Sequence, residues 1–542
     1  MKPELRAEIN AWILDDPDPQ TAQQLRDLLL ANNEIELNKY FSGFLQFGTA
    51  GLRGPLGPGP SSMNRAVVGR TAAGLSNYMK ARGLKNIVIG RDARHGSEDF
   101  TRDTAEIMSG AGMEVFVLPR PLPTPVLAFA ITELGVDVGV MVTASHNPRE
   151  DNGYKVYLGG TVDGIDYRAS QIIPPTDSQI SHEIALITSL VTQPRSDKWT
   201  VLDDSIVERY VARTAALATK PGDLKIVYTA LHGVGTETLE RVFQAAGFSS
   251  PILVQAQAQP DPDFPTLAFP NPEEPGAIDL ALERALQVGA DLVIANDPDA
   301  DRCAAAVLDP IRGWRMLRGD ELGALLGEYI AAHANGGGIL ANSIVSSSIL
   351  KKIAVHHKME FRETLTGFKW LAKIKGLTFG YEEALGYCVD SRAVNDKDGI
   401  SAALMLAQIA TDLKAEGRTI LNFLDEIWRR HGFHGTEQIS IRVSDLTRVA
   451  TLLEGLRSDP PTEIAGRKIK SIDDLMRPKD GLPPTDGIRI WLDDDIRIII
   501  RPSGTEAKVK CYVEVIRHEG ASTAQNVLDE LRHPLTQFLV GP

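Results

Sequence analysis

The stretch "NIVIGRDARHGSEDFTRDTAEIMSGAG", residues 86–112, changes its pattern of apolar residues near its middle. It begins with a short β-branched run, passes through a polar loop and continues with apolar residues spaced by three and four positions. The first pattern is typical of a buried strand and the second of an amphipathic helix. We therefore predict a strand, a loop and a helix in that order, which is the repeating unit of an α/β domain.

The same unit recurs twice, in "KIVYTALHGVGTETLERVFQAAG" (225–247) and "GGILANSIVSSSILKKIAVHHK" (337–358). Each of the three blocks is followed by a second apolar run that ends in a polar loop: "DVGVMVTASHNP", "DLVIANDPDADR" and "LTFGYEEALGY". Strands that alternate with helices predict right-handed βαβ units and a largely parallel sheet. Ligands bind outside the carboxyl ends of the strands in such sheets, so the polar loops are the places to look for a site.

We predict three similar mixed α/β domains followed by a smaller C-terminal α+β domain. The predicted boundaries are 1–200, 201–312, 313–430 and 431–542. The last domain differs because residues 488–516 alternate like antiparallel strands and residues 522–539 have the spacing of a helix. Residues 4–40 are predicted to be helical, with a break at "DDPDP".

Composition excludes several classes of protein. The formal net charge of −14 over 542 residues argues against a nucleic-acid or anionic-membrane partner, because the long-range field would repel polyanions. The first residues lack the apolar core of a signal peptide, and no run of 18 apolar residues appears. The three cysteines are scattered and suggest neither a disulfide framework nor a zinc site. We expect a cytoplasmic protein that is a monomer or a weak dimer.

The loop "TASHNP" (143–148) places Ser145 just after an apolar run. Serine, asparagine and proline are common turn formers, so a simple turn is one interpretation. A hydrolase is disfavoured because no G-x-S-x-G motif surrounds Ser145, and because His146 is adjacent in sequence and its side chain is expected to diverge. A serine without a base could still carry phosphate, for which Lys155 could supply a positive partner.

The loop "NDPDADR" (296–302) contains Asp297, Asp299 and Asp301 at alternate positions. Three hard oxygen ligands on one short loop suit Mg²⁺ or Ca²⁺. An EF-hand is excluded, because Arg302 and Leu308 stand where that loop needs glycine and a bidentate glutamate. A solvated acidic turn is the alternative, although three like charges at this spacing repel each other unless a cation lies among them.

Three other loops carry weaker signals. In "GYEEALGY" (380–387) the paired Glu382 and Glu383 could accept hydrogen bonds from sugar hydroxyls or serve as acid and base, although glutamate pairs are common on surfaces. In "RPSGTEAK" (501–508) the arginine, hydroxyl and backbone donors could hold phosphate, although a hairpin turn is the alternative. "FGTAGLRG" (47–54) offers Arg53 as a further anion contact.

Taken together and in this order, "TASHNP", "DPDADR", "GYEEALGY" and "RPSGTEAK" resemble the α-D-phosphohexomutase superfamily. "FGTAGLRG", "GRDAR", "TALHGVG", "FPNPEEPGA", "TGFKW" and "KDGI" agree with it, so the resemblance runs from about residue 40 to near the end. "TGFKW" and "YEEALGY" look most like the phosphoglucomutase and phosphopentomutase branch. The resemblance implies a four-domain, heart-shaped α/β fold and a mutase that moves phosphate between positions 1 and 6 of a sugar. A phosphorylated monosaccharide, most plausibly a glucose phosphate, is the implied substrate.

The resemblance also implies roles for individual residues. Ser145 is the implied phosphoserine, and it ligates Mg²⁺ together with Asp297, Asp299 and Asp301. The implied cations beside the transferring phosphate are Arg53, Lys155 and Arg302, and Lys397 is a further catalytic candidate. The implied substrate contacts are Thr366, Gly367, Glu382, Glu383, Arg501, Ser503, Gly504 and Thr505. A sugar 1,6-bisphosphate is the implied intermediate and activator.

Two departures from the family pattern leave questions open. Ala384 stands where many members have serine, which puts one hydrogen bond to the sugar in doubt, and Gly386 and Tyr387 stand where some members carry histidine. Lys397, Lys155 and His232 are candidates for the acid or base. Phosphopentomutase and phosphomannomutase are the nearest alternative activities. A Mg²⁺-dependent sugar phosphatase and a non-catalytic sugar-phosphate binder are alternatives from other classes.

Overall fold

A computed structural model describes residues 1–48, 51–334, 336–442, 446–479, 481–502 and 508–540, and its chain divides into two compact units. The first unit comprises Met1–Leu317, Ala372–Lys375 and Gly386–Asp412. The second comprises Arg318–Leu371, Gly376–Leu385 and Leu413–Pro542.

The first sheet of the first unit follows three N-terminal helices. The elements up to residue 201 are α1 (Pro3–Asp15), α2 (Pro19–Leu30), α3 (Glu34–Tyr40), β1 (Leu52–Pro55), α4 (Arg65–Ala81), β2 (Asn86–Arg91), α5 (Ser97–Gly110), β3 (Glu114–Val117), α6 (Thr124–Leu134), β4 (Val138–Val142), β5 (Asp151–Leu158), β6 (Thr161–Val162), β7 (Ile165–Asp166), β8 (Ser170–Gln171), α7 (Thr176–Ala185) and β9 (Thr200–Val201). The strand order is β1-β5-β4-β2-β3-β9, with β8 beside β5. Every residue of β4 is buried, as expected for a strand covered on both faces.

The second sheet of this unit has the order β11-β10-β12-β13-β14. The elements are α8 (Ser205–Ala215), β10 (Ile226–Thr229), α9 (Gly235–Ala245), β11 (Ile252–Leu253), α10 (Gln255–Ala258), α11 (Asp279–Val288), β12 (Leu292–Ala295), β13 (Ala304–Asp309) and β14 (Gly313–Met316). β10 pairs in parallel with β11 and β12, whereas β12 and β13 are antiparallel.

The second unit begins with a parallel arrangement in which β15 lies between β16 and β17. The elements from residue 319 to 431, among them two that belong to the first unit (β18 and most of α15), are α12 (Gly319–His333), β15 (Ile339–Ser343), α13 (Ile349–His356), β16 (Glu360–Thr364), α14 (Phe368–Leu371), β17 (Leu377–Glu382), β18 (Gly386–Cys388), α15 (Gly399–Ala415) and α16 (Ile420–His431). α16 starts at a capping box in which Thr419 and Asn422 satisfy each other's backbone amides.

An antiparallel sheet forms the rest of the second unit, in the order β19-β24-β23-β22-β21-β20. Its elements are β19 (Phe433–Arg442), α17 (Leu446–Ser458), β20 (Glu463–Ile464), β21 (Arg467–Asp474), β22 (Ile488–Leu492), β23 (Ile496–Pro502), β24 (Lys508–Arg517) and α18 (Ala521–Val540). One core joins sheet and helices, because Leu453 of α17, Ile498 of β23 and Leu531 of α18 belong to the same buried cluster.

The predicted fold class is confirmed, and one detail of the topology differs. The central strands are parallel as expected, but β4 and β5 form an antiparallel hairpin that places Lys155 opposite Met141. The cause is the tight turn at "SHNPRED", in which the Asn147 amide donates to the Ala144 carbonyl and the Asp151 amide to that of Pro148. The hairpin brings Lys155 back to the end of β4, where Ser145 lies.

Among the described residues, no helix is both long and apolar enough to cross a membrane.

Candidate active site

Ser145 is buried at the end of β4, on the turn between β4 and β5. Its φ of 52° lies in the left-handed region, which a residue with a side chain adopts only at a cost of about 1–3 kcal/mol. Its amide donates a 2.9 Å hydrogen bond to Thr143 Oγ1. The interpretation of this loop as a turn is confirmed, and the turn presents the side chain of Ser145.

Arg94 stabilises this turn through hydrogen bonds to its backbone. This residue was not identified from the sequence. Its guanidinium donates to four backbone carbonyls: Ser145 (2.6 Å), Asn147 (2.6 Å), Pro148 (2.7 Å) and Asp151 (3.1 Å). Buried carbonyls need such partners, and the planar fork of an arginine can serve several at once. The signal in the sequence was "GRDAR", whose last residue follows the end of β2.

The hydroxyl of Ser145 points at the aspartate loop. Its Oγ donates a 2.7 Å hydrogen bond to Asp297 Oδ2 and lies 3.2 Å from His146 Nδ1. The expectation that the serine and histidine side chains diverge was wrong, because the left-handed backbone at Ser145 turns the two neighbours to the same side. Burial, together with the cations of Arg302 and Arg53, holds the pKa of His146 well below its usual value, which makes it a weak base.

The three aspartates follow β12 on the loop that leads into β13, and all are buried. One carboxylate oxygen from each lies within 4.8 Å of the others. Gly233 allows the loop to sit this tightly, because a Cβ there would meet Pro298 Cα at 2.3 Å. The loop is thus packed into the fold, which contradicts the alternative of a solvated acidic turn.

Two lysines come within contact distance of the aspartates. Lys155 Nζ donates to Asp299 Oδ2 at 2.7 Å and to Asp301 Oδ2 at 2.9 Å. Lys397 Nζ lies 3.2 Å from the same oxygen of Asp301. Thr124, at the start of α6, donates to Asp299 Oδ2 at 2.6 Å; it was another residue that the sequence did not single out.

Two arginines, Arg302 and Arg53, also lie near the aspartate and serine loops. Arg302 Nε lies 3.9 Å from Asp297 Oδ2 and 3.8 Å from Asp301 Oδ1. Arg53, on β1, donates to Asn147 Oδ1 at 3.3 Å. Burial lowers the pKa of Arg53, and the nearby Asp299 carboxylate partly offsets this effect.

The titration of the cluster follows from these contacts. Burial raises the pKa of Asp299, and the Asp301 carboxylate adds to the effect. Burial acts in the same direction on Asp301, but Lys155, Lys397 and Arg302 outweigh it and hold its pKa well below the usual range. Burial would lower the pKa of Lys155, but the two carboxylates reverse this and raise it. Lys155 is therefore a cation.

The aspartates fit a divalent cation by their donor chemistry. Oδ1 of Asp299 and Oδ1 of Asp301 are buried without a hydrogen-bond partner among the described residues, although carboxylate oxygens out of water normally have one. Hard oxygen donors of this kind are the ligands that Mg²⁺ prefers.

The hydrogen bonds of His232 go to residues outside the aspartate cluster. Its Nε2 lies 2.8 Å from Thr266 Oγ1, and its amide donates to the Gln257 carbonyl. This position gives no support to His232 as the acid or base.

The predicted sugar loop lies in the second unit. Glu382, at the end of β17, accepts a 2.6 Å hydrogen bond from the amide of Gly367, which follows Thr366. Glu383 Oε2 accepts from Ser343 Oγ at 3.1 Å and Ser346 Oγ at 3.0 Å. Burial, with the nearby carboxylates of Glu382 and Asp320, raises the pKa of Glu383 to about 7.

The predicted phosphate loop is described only in part. Arg501 is half-buried near the end of β23, opposite Lys510 of β24. Ser503, Gly504 and Thr505 lie outside the described residues.

Comparison with known proteins adds independent findings. Four segments match the domains of one family, described as phosphoglucomutase/phosphomannomutase: α/β/α domain I at residues 45–183, domain II at 207–309, domain III at 318–431 and the C-terminal domain at 453–530.

Individual proteins resemble the chain over most of its length. A probable phosphomannomutase from Haemophilus influenzae is 46% identical, with 88% of this chain and 99% of that protein covered. A phosphopentomutase from Mus musculus is 32% identical over 100% of this chain and 96% of its own. A crystal structure of a phosphoglucomutase/phosphomannomutase family protein from Burkholderia thailandensis has the same fold, with a TM-score of 0.71, 19% identity, and 91% of this chain and 98% of that chain covered.

Proposed function

Since the chain belongs to the phosphoglucomutase/phosphomannomutase family, we propose that it interconverts glucose 1-phosphate and glucose 6-phosphate through a phosphate carried on Ser145. The chain is a phosphosugar mutase. The observation that carries the proposed role of Ser145 is its buried hydroxyl 2.7 Å from Asp297, within a cluster of three aspartates and two lysines.

Ser145 is the proposed donor and acceptor of the phosphate. A free hydroxyl of the sugar attacks phosphorus, the bond from phosphorus to Ser145 Oγ breaks, and a sugar bisphosphate forms. The bisphosphate then turns around, and its other phosphate returns to Ser145. Such transfers depend on positioning and charge neutralisation, which the rigid turn and the surrounding cations supply.

Asp297, Asp299 and Asp301 are the proposed ligands of Mg²⁺, with the phosphate on Ser145 beside them. The ion would neutralise charge on the transferring phosphate and hold it in line. The chain's own cations are proposed to share this task. Arg302 and Lys155 already contact the aspartates, and Arg53 donates a hydrogen bond to Asn147 of the Ser145 turn.

The contacts of the two lysines favour different roles. Lys155 is held by two carboxylates, which raise its pKa, and this supports a permanent positive charge rather than a base. Lys397, whose ammonium lies 3.2 Å from Asp301 and 3.7 Å from Asp396, is the other lysine proposed for moving a proton during transfer.

Contacts to sugar and phosphate are also proposed for two loops of the second unit. Glu382 and Glu383 are the proposed acceptors for ring hydroxyls, with Thr366 and Gly367 beside them. Arg501, Ser503, Gly504 and Thr505 are the proposed grip on the phosphate that is not reacting. Phosphomannomutase and phosphopentomutase are the alternative activities, and both names occur among the relatives.

The test is a coupled assay of glucose 6-phosphate formed from glucose 1-phosphate, with Mg²⁺ and catalytic glucose 1,6-bisphosphate. Mannose 1-phosphate and ribose 1-phosphate are run in parallel with inorganic phosphate release. We expect the highest specificity constant for glucose 1-phosphate. Faster turnover of ribose 1-phosphate would assign a phosphopentomutase, and steady release of phosphate without isomerised product would assign a phosphatase.

A further inference from the structure

Asp396 is a fully buried carboxylate in "NDKDGI" whose contacts lie beside the aspartate cluster but not in it. It is 2% exposed. Its Oδ2 accepts hydrogen bonds from Tyr157 OH at 3.0 Å and from Gln171 Nε2 at 2.8 Å. Its Oδ1 accepts from the Lys397 amide at 2.8 Å and lies 3.7 Å from the Lys397 ammonium. Both carboxylate oxygens of Asp396 therefore have partners. Oδ2 contacts Tyr157 and Gln171, and Oδ1 contacts the amide and the ammonium of Lys397.

Lys397 is fixed from two sides. Its ammonium lies between Asp396 Oδ1 and Asp301 Oδ2, at 3.7 and 3.2 Å. Its aliphatic stem runs along Gly386, where a Cβ would come within 2.4 Å of Lys397 Cδ. A long, flexible side chain needs such restraints, because a lysine loses about 2 kcal/mol of rotamer freedom when it is held in one place.

One strand supports both lysines of the site. Lys155 and Tyr157 are two positions apart on β5 and therefore point to the same face. Lys155 reaches Asp301 directly, whereas Tyr157 reaches Lys397 through Asp396. Both ammonium groups contact the same oxygen of Asp301, so Asp396 gives Lys397 an anionic partner that Lys155 does not share.

We propose that Asp396, held by Tyr157 and Gln171, is a positioning residue that keeps the ammonium of Lys397 beside the reacting phosphate. The proposal rests on the proposed function, in which Lys397 acts at the Ser145 centre. If a cation took up the Asp301 carboxylate, Asp396 would remain as a carboxylate partner of Lys397.

Asp396→Asn is an informative change because the two sides of the carboxylate are unequal. Tyr157 and Gln171 both donate to Oδ2, so an amide NH₂ there would face two donors. The NH₂ must instead take the Oδ1 position, where it faces the amide and ammonium of Lys397. Asparagine therefore loses the contacts with the amide and the ammonium of Lys397, and it keeps the hydrogen bonds from Tyr157 and Gln171.

The test is a double-mutant cycle on the mutase reaction with Asp396→Asn and Lys397→Met. We expect Asp396→Asn to lower kcat by about 10- to 100-fold with a much smaller change in KM, the size expected for losing one charge-assisted contact. In the Lys397→Met background the same change should lower kcat by less than about threefold, because the group that Asp396 positions is gone. If Asp396→Asn lowered kcat by the same factor in the wild-type and the Lys397→Met backgrounds, the proposal would be overturned.

Tyr157→Phe and Tyr210→Phe provide a matched pair that guards against loss of folding. Each removes one buried hydroxyl that donates to an aspartate of the same loop, Asp396 for Tyr157 and Asp398 for Tyr210. Asp398 caps α15 by accepting hydrogen bonds from the amides of Ile400 and Ser401, which is a structural task. We expect both variants to lose similar stability, and only Tyr157→Phe to lose kcat.

Equal kcat for the two tyrosine variants, or wild-type kcat in folded Asp396→Asn, would contradict the positioning role. The wild-type protein separates this outcome from failure of the proposed function. If it turns over none of the three sugar phosphates, the proposed mutase reaction is wrong whatever the variants do.

Discussion

Ser145 Oγ lies 2.7 Å from Asp297 Oδ2, although 152 residues separate them and each follows the first strand of an antiparallel pair in a different sheet. The hydroxyl and the metal-type ligands are therefore brought together by the packing of two domains of the first unit. This one contact explains why the serine loop and the aspartate loop have the residues they have.

Removal of divalent cations should abolish activity and lower stability. Asp299 Oδ1 and Asp301 Oδ1 are buried without hydrogen-bond partners in the described part of the chain, so a cation that takes them up binds the folded state preferentially. We expect Mg²⁺ at 100 times its Kd to stabilise the wild type by about 2.7 kcal/mol, and to raise the Tm of Asp299→Asn or Asp301→Asn much less. Differential scanning fluorimetry across a Mg²⁺ titration measures this. Full activity after exhaustive EDTA treatment would count against the metal site.

Arg94→Lys should damage the serine turn without touching the reacting groups. A lysine cannot serve four carbonyls from one plane, so buried carbonyls of the turn lose their donors, at a cost of about 2–4 kcal/mol. We expect kcat to fall more than KM rises, because Ser145 loses its fixed position.

Arg91→Lys is the matched control for that change. Arg91 is the last residue of β2, close to Arg94 in the chain, but it pairs with Glu98 at 3.5 Å near the surface, where such pairs contribute about 0–1 kcal/mol. Urea unfolding and kcat should both stay near wild type for Arg91→Lys. Equal losses in the two variants would show that the turn does not depend on Arg94.

Glu383 should make the protein less stable as the pH rises. Burial raises its pKa from 4.5 to about 7, so the folded state holds a proton that the unfolded chain releases above pH 4.5. The associated stability is fully present below pH 4.5 and is lost as the pH rises through about 7.

Glu383→Gln removes this dependence because glutamine does not ionise. Relative to wild type, the variant should gain about 1–3 kcal/mol between pH 5 and pH 8 in urea unfolding. The exposed Glu360→Gln serves as the control, with no such trend expected. Parallel stability curves for wild type and Glu383→Gln would refute the assignment.

Glu382→Ala should reduce the use of glucose 1-phosphate. Loss of a buried acceptor leaves a sugar hydroxyl unpaired, at about 1–3 kcal/mol, or roughly 10- to 100-fold in kcat/KM. Part of the effect will come from the Gly367 amide, which donates to Glu382 at 2.6 Å. Glu382→Gln keeps an oxygen that can accept from the Gly367 amide. If Glu382→Gln loses as much kcat/KM as Glu382→Ala, the effect is assigned to the sugar contact.

The sequence predicted the fold well wherever the periodicity was strong. The strand–loop–helix units of β2 with α5 and β10 with α9 formed as expected, as did the antiparallel strands β22, β23 and β24. The antiparallel hairpin of β4 and β5 was missed because a tight turn, which composition alone does not orient, reversed the chain.

Among the proposed site residues, the sequence identified those with a charge or a hydroxyl in a loop that follows a strand. Ser145, Asp297 and Asp299 fall in this class, and the fold brings them together with Lys155 of β5. It missed Arg94, Thr124 and Asp396, because their importance comes from what they contact across the fold. Buried polar residues of this kind have no local pattern, since each is satisfied by partners 50 or more residues away.

The most direct test of the central claim is the phosphate on Ser145. Intact mass and peptide mapping are recorded for the wild type, Ser145→Ala and the exposed-serine control Ser178→Ala, before and after incubation with Mg²⁺ and glucose 1,6-bisphosphate. We expect one phosphate on the peptide that contains Ser145 in the wild type and in Ser178→Ala, its loss on brief exposure to excess glucose 1-phosphate, and neither phosphate nor mutase turnover in Ser145→Ala. Wild-type turnover by Ser145→Ala, or a phosphate that maps to another residue, would contradict the account.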